Sequence, residues 1–248
     1  MKRRRFKIDK EWIRGATATI RDVDEIRHMG RVLRLKAGDE VILFDGGGKE
    51  YHARLTRVSP REISLALLRE PSPGIAESPL KIILGLGLLK SSKFDWLVQK
   101  TTELGVAEVA PFFSLHVVPR WEETQTRSRQ SRWEKIVSEA AKQSGRAHVP
   151  KIHSPRSFEE ILAMESEDAT KILLWEKESA GSLKDVFASP VSSIFALIGP
   201  EGGFSDEEAL RAQEAGFQPI RLGPRILRAE TAGIVVVSLL QFLLGDLQ

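Results

Sequence analysis

Cysteine is absent from the 248 residues, so no disulfide, thiolate zinc site or cysteine nucleophile can exist in this chain. Tyrosine occurs once and aromatic residues make up only 7%, which leaves the core mainly to aliphatic side chains. Long apolar runs are missing too. The longest strongly apolar stretch, Gly233 to Leu244, is shorter than the roughly 18–20 residues that a bilayer-spanning helix requires. The opening Met1-Lys2-Arg3-Arg4-Arg5 has the charge of a signal-peptide start, but Phe6-Lys7-Ile8-Asp9-Lys10-Glu11 stands where the apolar region would follow. Export by that route is not expected, and the chain reads as soluble and cytoplasmic. Histidines 28, 52, 116, 148 and 153 have no metal-ligand spacing, so no metal is expected.

What is present is charge, unevenly distributed. The formal net charge is +3, yet residues 1–70 hold 17 basic and 11 acidic side chains, residues 71–156 hold 13 and 8, and residues 157–248 hold 7 and 15. The chain is electrically polarised, basic through residue 156 and acidic beyond it.

The first seventy residues alternate short β-like runs with turns around one helical signal, Asp22 to Met29. Val41 to Phe44 and Tyr51 to Leu55 flank Asp45-Gly46-Gly47-Gly48, the pattern of a hairpin. With Glu62 to Leu67 as a further strand, a small β-barrel or curled sheet is the economical reading. Pro71, Pro73 and Pro79 then mark a linker, dividing the chain at 1–73 and 74–248.

Beyond it, strand and helix signals alternate. Lys81 to Leu89 reads as a buried strand, and Ser92 as the cap of a helix with Phe94, Leu97, Val98, Thr101 and Leu104 on one face. Val106 to Phe113, Lys171 to Trp175, Val191 to Ile198 and Pro219 to Leu222 are strands; 127–144 and 229–244 are helices. Ser157 with Glu160 and Ser205 with Glu208 form capping boxes that open two more helices. Such alternation predicts an α/β domain, a largely parallel sheet with helices on both faces.

Several chemistries fail on inspection. Gly85-Leu86-Gly87-Leu88-Leu89-Lys90 has Lys where a dinucleotide fingerprint has its third glycine, so its glycines read as relieving crowding in a buried strand. Gly46-Gly47-Gly48-Lys49-Glu50 lacks the hydroxyl residue of a phosphate loop. Two segments resist so plain a reading. Leu197 to Ser205 runs from a buried strand into Gly199-Pro200-Glu201-Gly202-Gly203, either a turn or a loop that lets a ligand approach the backbone. Leu222 to Gly233 sets Arg225, Arg228 and Glu230 at the mouth of a helix with nine large apolar residues in the twelve from Gly233 to Leu244. A helix apolar on nearly every side needs cover from the sheet and from a second subunit.

Ile198-Gly199-Pro200-Glu201-Gly202-Gly203-Phe204-Ser205 and Leu222-Gly223-Pro224-Arg225-Ile226-Leu227-Arg228-Ala229-Glu230-Thr231-Ala232 resemble, in this order, the two signature segments of the bacterial ribosomal RNA small-subunit methyltransferase E family. Lys93 to Val106, His28 to Leu35 and Gly38 to Gly46 resemble its remaining pattern. The resemblance implies an α/β domain of the SPOUT class, a parallel-sheet methyltransferase with a trefoil knot, at 74–248. A small PUA-like β-barrel that binds RNA would precede it at 1–73. The implied activity is transfer of a methyl group from S-adenosyl-L-methionine to N3 of a uridine in 16S ribosomal RNA, in an assembled or nearly assembled small ribosomal subunit, by a homodimer. The rivals are a SPOUT ribose 2′-O-methyltransferase and a non-catalytic ribosomal RNA-binding assembly factor.

By motif match, Leu197, Ile198, Gly199, Glu201 and Gly202 line one side of the cofactor and Leu222, Gly223, Ile226 and Leu227 the other, with Leu174 and Trp175 ending the preceding strand. Uracil N3 carries a proton that must leave before it attacks. Glu230 is expected as base or orienting group and Arg228 as the cation for developing charge on the uracil oxygens; Thr231 caps the helix or contacts the base. Glu230 reads equally well as first-turn compensation of the helix dipole. RNA contact is expected from the basic arm of Lys2, Arg3, Arg4 and Arg5, from Arg31, Arg34 and Lys36, and from Arg120, Arg127, Arg129 and Arg132 beside Trp121. Trp133 is expected in the core.

Overall fold

A computed structural model describes residues 4–69, 71–73, 77–115, 121–166, 168–178, 181, 183 and 191–247. The chain divides into two compact units, residues 1–77 with 141–149, and 78–140 with 150–248.

The first unit is built on one sheet. Its strands are β1 (Arg5–Lys7), β2 (Ile13–Arg14), β3 (Thr17–Ile20), β4 (Glu40–Phe44), β5 (Lys49–Val58), β6 (Ile63–Leu67) and β7 (Ser72–Pro73). They lie in the order β1-β4-β5-β6-β3-β2, with β7 against β5. The hairpin forms at Asp45 to Gly48, where Asp45 Oδ1 accepts from the backbone N–H of Gly47 at 2.8 Å and of Lys49 at 3.1 Å. Gly48 has a φ of +101° and packs so closely on the His148 ring that no β-carbon would fit there. Alternation puts Phe6, Ile20, Val41, Leu43 and Leu55 into the core with Met29. Asp22 caps α1 (Val23–Arg27), its side chain accepting from Glu25 N, and a π-turn, His28–Val32, continues that helix.

Two features of this unit lie outside the expectation. Residues 5–7 form a strand parallel to β4 rather than part of a free basic arm. Residues 141–149 belong to it as well, fixed where Arg146 Nη2 donates to Glu77 at 2.7 Å and Arg5 Nη2 donates to the Arg146 carbonyl at 2.9 Å.

In the second unit the strands are β8 (Lys81–Gly87), β9 (Glu108–Phe113), β10 (Lys151–Ile152), β11 (Arg156–Ser157), β12 (Thr170–Leu174), β13 (Ser193–Ile198) and β14 (Gln218–Ile220). The order is β10-β9-β8-β13-β12-β14, with β11 also on β9, and every pair is parallel. The helices are α2 (Ser91–Glu103), α3 (Glu123–Ser144, of which 141–144 belong to the first unit), α4 (Phe158–Leu162), α5 (Asp206–Glu214) and α6 (Ala229–Leu244). Ile83, Leu173, Phe195 and Leu197 face a core shared with Phe158 and Ile161 of α4 and Ala209 and Ala212 of α5. Ile198 points the other way, where it meets Gly233 of α6 beside Leu97 of α2; α6 packs on both α2 and β13.

Both capping boxes form, at Ser157 with Glu160 and at Ser205 with Glu208. Ser92 caps nothing: α2 begins at Ser91, and its N-cap, Lys90, makes no side-chain cap bond. Ser91 Oγ instead accepts from Arg129 Nη1 at 3.1 Å. Trp133 is 2% exposed, in the core as expected, its indole N–H donating to Asp95 at 3.1 Å. Among the described residues no helix is long and apolar enough to cross a membrane, and no cluster of three His, Asp or Glu could hold a metal ion.

Candidate active site

In an open parallel sheet the crevice forms beyond the carboxyl ends of the strands, where the connections run to opposite sides. Here β9 lies on one side of β8 and β13 on the other. Gly87 ends β8 directly against the loop that leaves β13: a β-carbon on Gly87 would stand 2.6 Å from Pro200 N and 2.9 Å from the Gly199 carbonyl carbon. Gly85 is likewise closed over by Leu197. These glycines relieve crowding, and at Gly87 that lets the 199–203 loop sit flush on the sheet.

The loop borders a cavity of about 500 Å³. Leu174 at the end of β12 and Ile198 at the end of β13 supply apolar wall, and Ile226 and Leu227 enter from the segment before α6. Gly199, Glu201 and Gly202 present backbone along the loop. Gly203 adopts a φ of +71°, and a β-carbon there would meet the Glu176 carboxylate at 2.9 Å, so glycine suits this position on two counts.

The polar groups come from three directions. Arg228 is the N-cap of α6 and is exposed; Glu230 lies in the first turn of that helix. The Glu230 side chain is only 13% exposed, and its Oε2 is buried with no hydrogen-bond partner among the described residues. Its Oε1 lies 3.6 Å from Lys93 Nζ, which also contacts Glu201 Oε1 at 2.6 Å. The hydrogen bond to Glu201, opposed by burial and aided by the Glu230 charge, holds the Lys93 ammonium above the ordinary lysine pKa. Lys90 and Glu176 complete the charged rim.

The cavity thus gathers Leu174, Ile198, Gly199, Glu201, Gly202, Ile226, Leu227, Arg228 and Glu230 of the expected set. Leu197 is fully buried in the sheet behind it, and Leu222 lines an adjoining recess of about 70 Å³. Gly223 and Thr231 line neither space, and Thr231 is not the cap of α6. Sequence reasoning gave no role to Lys90, Lys93 or Glu176. A lysine in the first turn of α2 was the available signal, because a cation there opposes the helix dipole and calls for anionic partners.

The cations expected at RNA have varied surroundings. Arg3 and Arg120 lie outside the described residues. Arg5 pairs with Glu50 and lies over the Phe44 ring, with its side chain 12% exposed. Arg4 donates to the Leu33 carbonyl at 3.1 Å. Arg31, Arg34 and Lys36 are exposed. On α3, Arg127 pairs with Glu123, Arg132 with Asp95 at 2.7 Å, and the Arg129 guanidinium lies 4.3 Å from the centre of the Trp121 ring.

Comparison with known proteins bears directly on this arrangement. A family model described as an RNA methyltransferase domain matches residues 76–241, and one described as an RNA methyltransferase PUA domain matches residues 20–68. A ribosomal RNA small subunit methyltransferase E of Bacillus subtilis is 30% identical over 98% of this chain and 96% of its own. Its counterpart from Buchnera aphidicola of Acyrthosiphon pisum is 33% identical over 90% of this chain and 87% of its own. The crystal structure of such an enzyme from Neisseria gonorrhoeae, bound to S-adenosyl methionine, superposes with a TM-score of 0.90 at 33% identity and 100% coverage of both chains. A Legionella pneumophila structure in complex with the same cofactor also gives 0.90, at 30% identity, covering 99% of this chain and 100% of its own.

Proposed function

Because the chain belongs to the ribosomal RNA small subunit methyltransferase E family, we propose that it methylates N3 of a uridine in 16S ribosomal RNA of the small ribosomal subunit, using S-adenosyl-L-methionine. The observation that carries this reading is one cavity at the strand ends that combines a glycine-lined loop with a nearly buried carboxylate having one oxygen unpartnered.

The residues present fit the cofactor. A cavity of about 500 Å³ is within the usual range for small-molecule sites, and such sites pair apolar walls with a few fixed polar groups. A β-carbon on Gly199 would press on Phe204 at 3.1 Å and on Gly203 at 3.2 Å, so glycine lets the loop close on itself at this point. Trp175 borders the adjoining recess rather than the cavity itself, and its buried Nε1 has no hydrogen-bond partner among the described residues. When bound, S-adenosyl-L-methionine supplies an electrophilic methyl group on a cationic sulfur.

The chain's own residues have two tasks. One is to take the N3 proton, for which the free oxygen of Glu230 is the acceptor in this reading. The other is to stabilise negative charge as it spreads onto the uracil oxygens, for which Arg228 stands at the rim. The walls then hold N3 at near-attack distance, about 3–3.5 Å from the carbon it attacks.

For the carboxyl-terminal unit the reading includes a trefoil-knotted SPOUT arrangement, supported by the two loops that converge on one cavity before α6. It also includes a homodimer, supported by Phe242 and Leu243, 64% and 45% exposed on α6. Arg31, Arg34 and Lys36 of the PUA unit, with Arg127 and Arg129 of α3, are the proposed RNA contacts, and the cytoplasm is the proposed location. The test is methylation of small subunits from a strain lacking this protein, followed by nucleoside analysis. The reading expects 3-methyluridine; methyl on a ribose, or no cofactor binding at millimolar concentration, would refute it.

A further inference from the structure

Glu230 does not stand alone. Among the described residues one cation is paired with it, Lys93 of α2, 137 positions earlier in the chain, and that cation is shared with Glu201. Three carboxylates, Glu176, Glu201 and Glu230, border the cavity, and the Lys93 ammonium is the countercharge that two of them share. The arrangement also fixes direction: one Glu230 oxygen faces Lys93 at 3.6 Å while the other is buried with no hydrogen-bond partner among the described residues. The other charged groups around the cavity are Lys90, Glu176 and Arg228, and no ion pair joins any of them to Glu230 among the described residues.

We propose that Lys93 is a positioning residue for methyl transfer, its ammonium bridging Glu201 and Glu230 so that the Glu230 carboxylate is held at the cavity with one oxygen left to take the uracil N3 proton. This rests on the reading of Glu230 given above. The test uses the full-length protein with cofactor and small subunits lacking the modification, comparing wild type with Lys93→Met, Lys93→Arg and Glu230→Gln. The readouts are kcat, KM, cofactor Kd by calorimetry and thermal unfolding.

Lys93→Met is expected to lower kcat about 10- to 100-fold, part of what a positioned proton acceptor contributes, with cofactor Kd changed less than about threefold. Lys93→Arg should recover most of kcat. Unchanged kcat in Lys93→Met overturns the proposal. So does a loss that Lys93→Arg fails to rescue, or one that falls equally on cofactor affinity or on thermal stability, because those mark a structural tie. If Glu230→Gln turns over normally, the reading of Glu230 fails and Lys93 with it. An impaired Glu230→Gln beside a normal Lys93→Met overturns the role of Lys93 alone.

Discussion

Replacing Gly87 with alanine adds a single methyl group at the point where β8 meets the 199–203 loop. Its carbon would lie 2.6 Å from Pro200 N, 2.8 Å from Pro200 Cδ and 2.9 Å from the Gly199 carbonyl carbon. The nearest of these is main chain, so no flexible side-chain end can swing aside. To reach an ordinary contact of about 3.4–3.5 Å the loop must withdraw by about 0.8 Å. Overpacking of this kind costs about 1–3 kcal/mol. If the loop must return to its present position to hold the cofactor, most of that strain appears as lost affinity, about 5- to 100-fold at 1.4 kcal/mol per tenfold. Calorimetric titration of the Gly87→Ala protein with S-adenosyl-L-methionine measures it directly. The control is Gly30→Ala, where a β-carbon meets only Val58 Cγ1 at 3.7 Å, an ordinary contact. A Gly87→Ala protein that binds the cofactor within twofold of wild type and melts at the same temperature would show that the loop's position does not govern the site.

Three further outcomes are expected. Arg228→Ala and Glu230→Ala should each reduce turnover about 100-fold, the scale of one lost electrostatic or proton-transfer group, while cofactor Kd changes by less than about threefold; wild-type turnover in both would remove them from the site. Phe242→Glu combined with Leu243→Glu should convert a dimer to a monomer in sedimentation velocity without changing the circular dichroism, and a dimer that persists at micromolar concentration would contradict the role given to α6. The third concerns pH. Burial, with Lys151 and Arg156 nearby, outweighs Glu108 and holds the His153 imidazole below its ordinary 6.5. Burial raises the Glu108 carboxyl, but hydrogen bonds from Lys81 and His153 outweigh it and leave that carboxyl below 4.5. Both folded-state values are depressed, so both groups stabilise the fold above their unfolded values and lose that contribution as pH falls through the folded ones. Melting temperature should therefore decline on acidification below 6.5, and His153→Asn should flatten the first part of the decline; an equally steep decline in the variant would refute the assignment.

Local chemistry accounts for what could be read in advance. Ser157 with Glu160 and Ser205 with Glu208 each satisfy a helix end within four residues, and the α6 bounds follow from apolar density and the Gly-Pro turn before it. The cavity's walls were legible because strand ends and glycines cluster at 197–203 and 222–228. What escaped depends on partners far along the chain. Ser92 is a reasonable cap by sequence, but α2 begins one residue earlier, at Ser91, whose Oγ accepts from Arg129, 38 positions on. Lys93 follows the pattern of an exposed helix face, and only the return of the chain at 201 and 230 makes it part of a site. Arg5 looked like an arm because nothing nearby in sequence says that Glu50 and Phe44 will enclose it.

The amino-terminal unit, with its two separate stretches of chain, also has an order of assembly built into it. Domains generally acquire structure from the amino terminus as they are synthesised, at roughly 5–20 residues per second. Glu77 emerges 69 positions before Arg146, an interval of roughly 3–14 s at that rate. During it the Gly48 niche lacks the His148 ring, and Arg5 lacks the carbonyl it will bind. The amino-terminal unit of a nascent chain therefore stays unfinished until residues 78–140, the first stretch of the second unit, have been made, and a fragment ending at residue 77 should fold less stably than the same residues do in the whole protein.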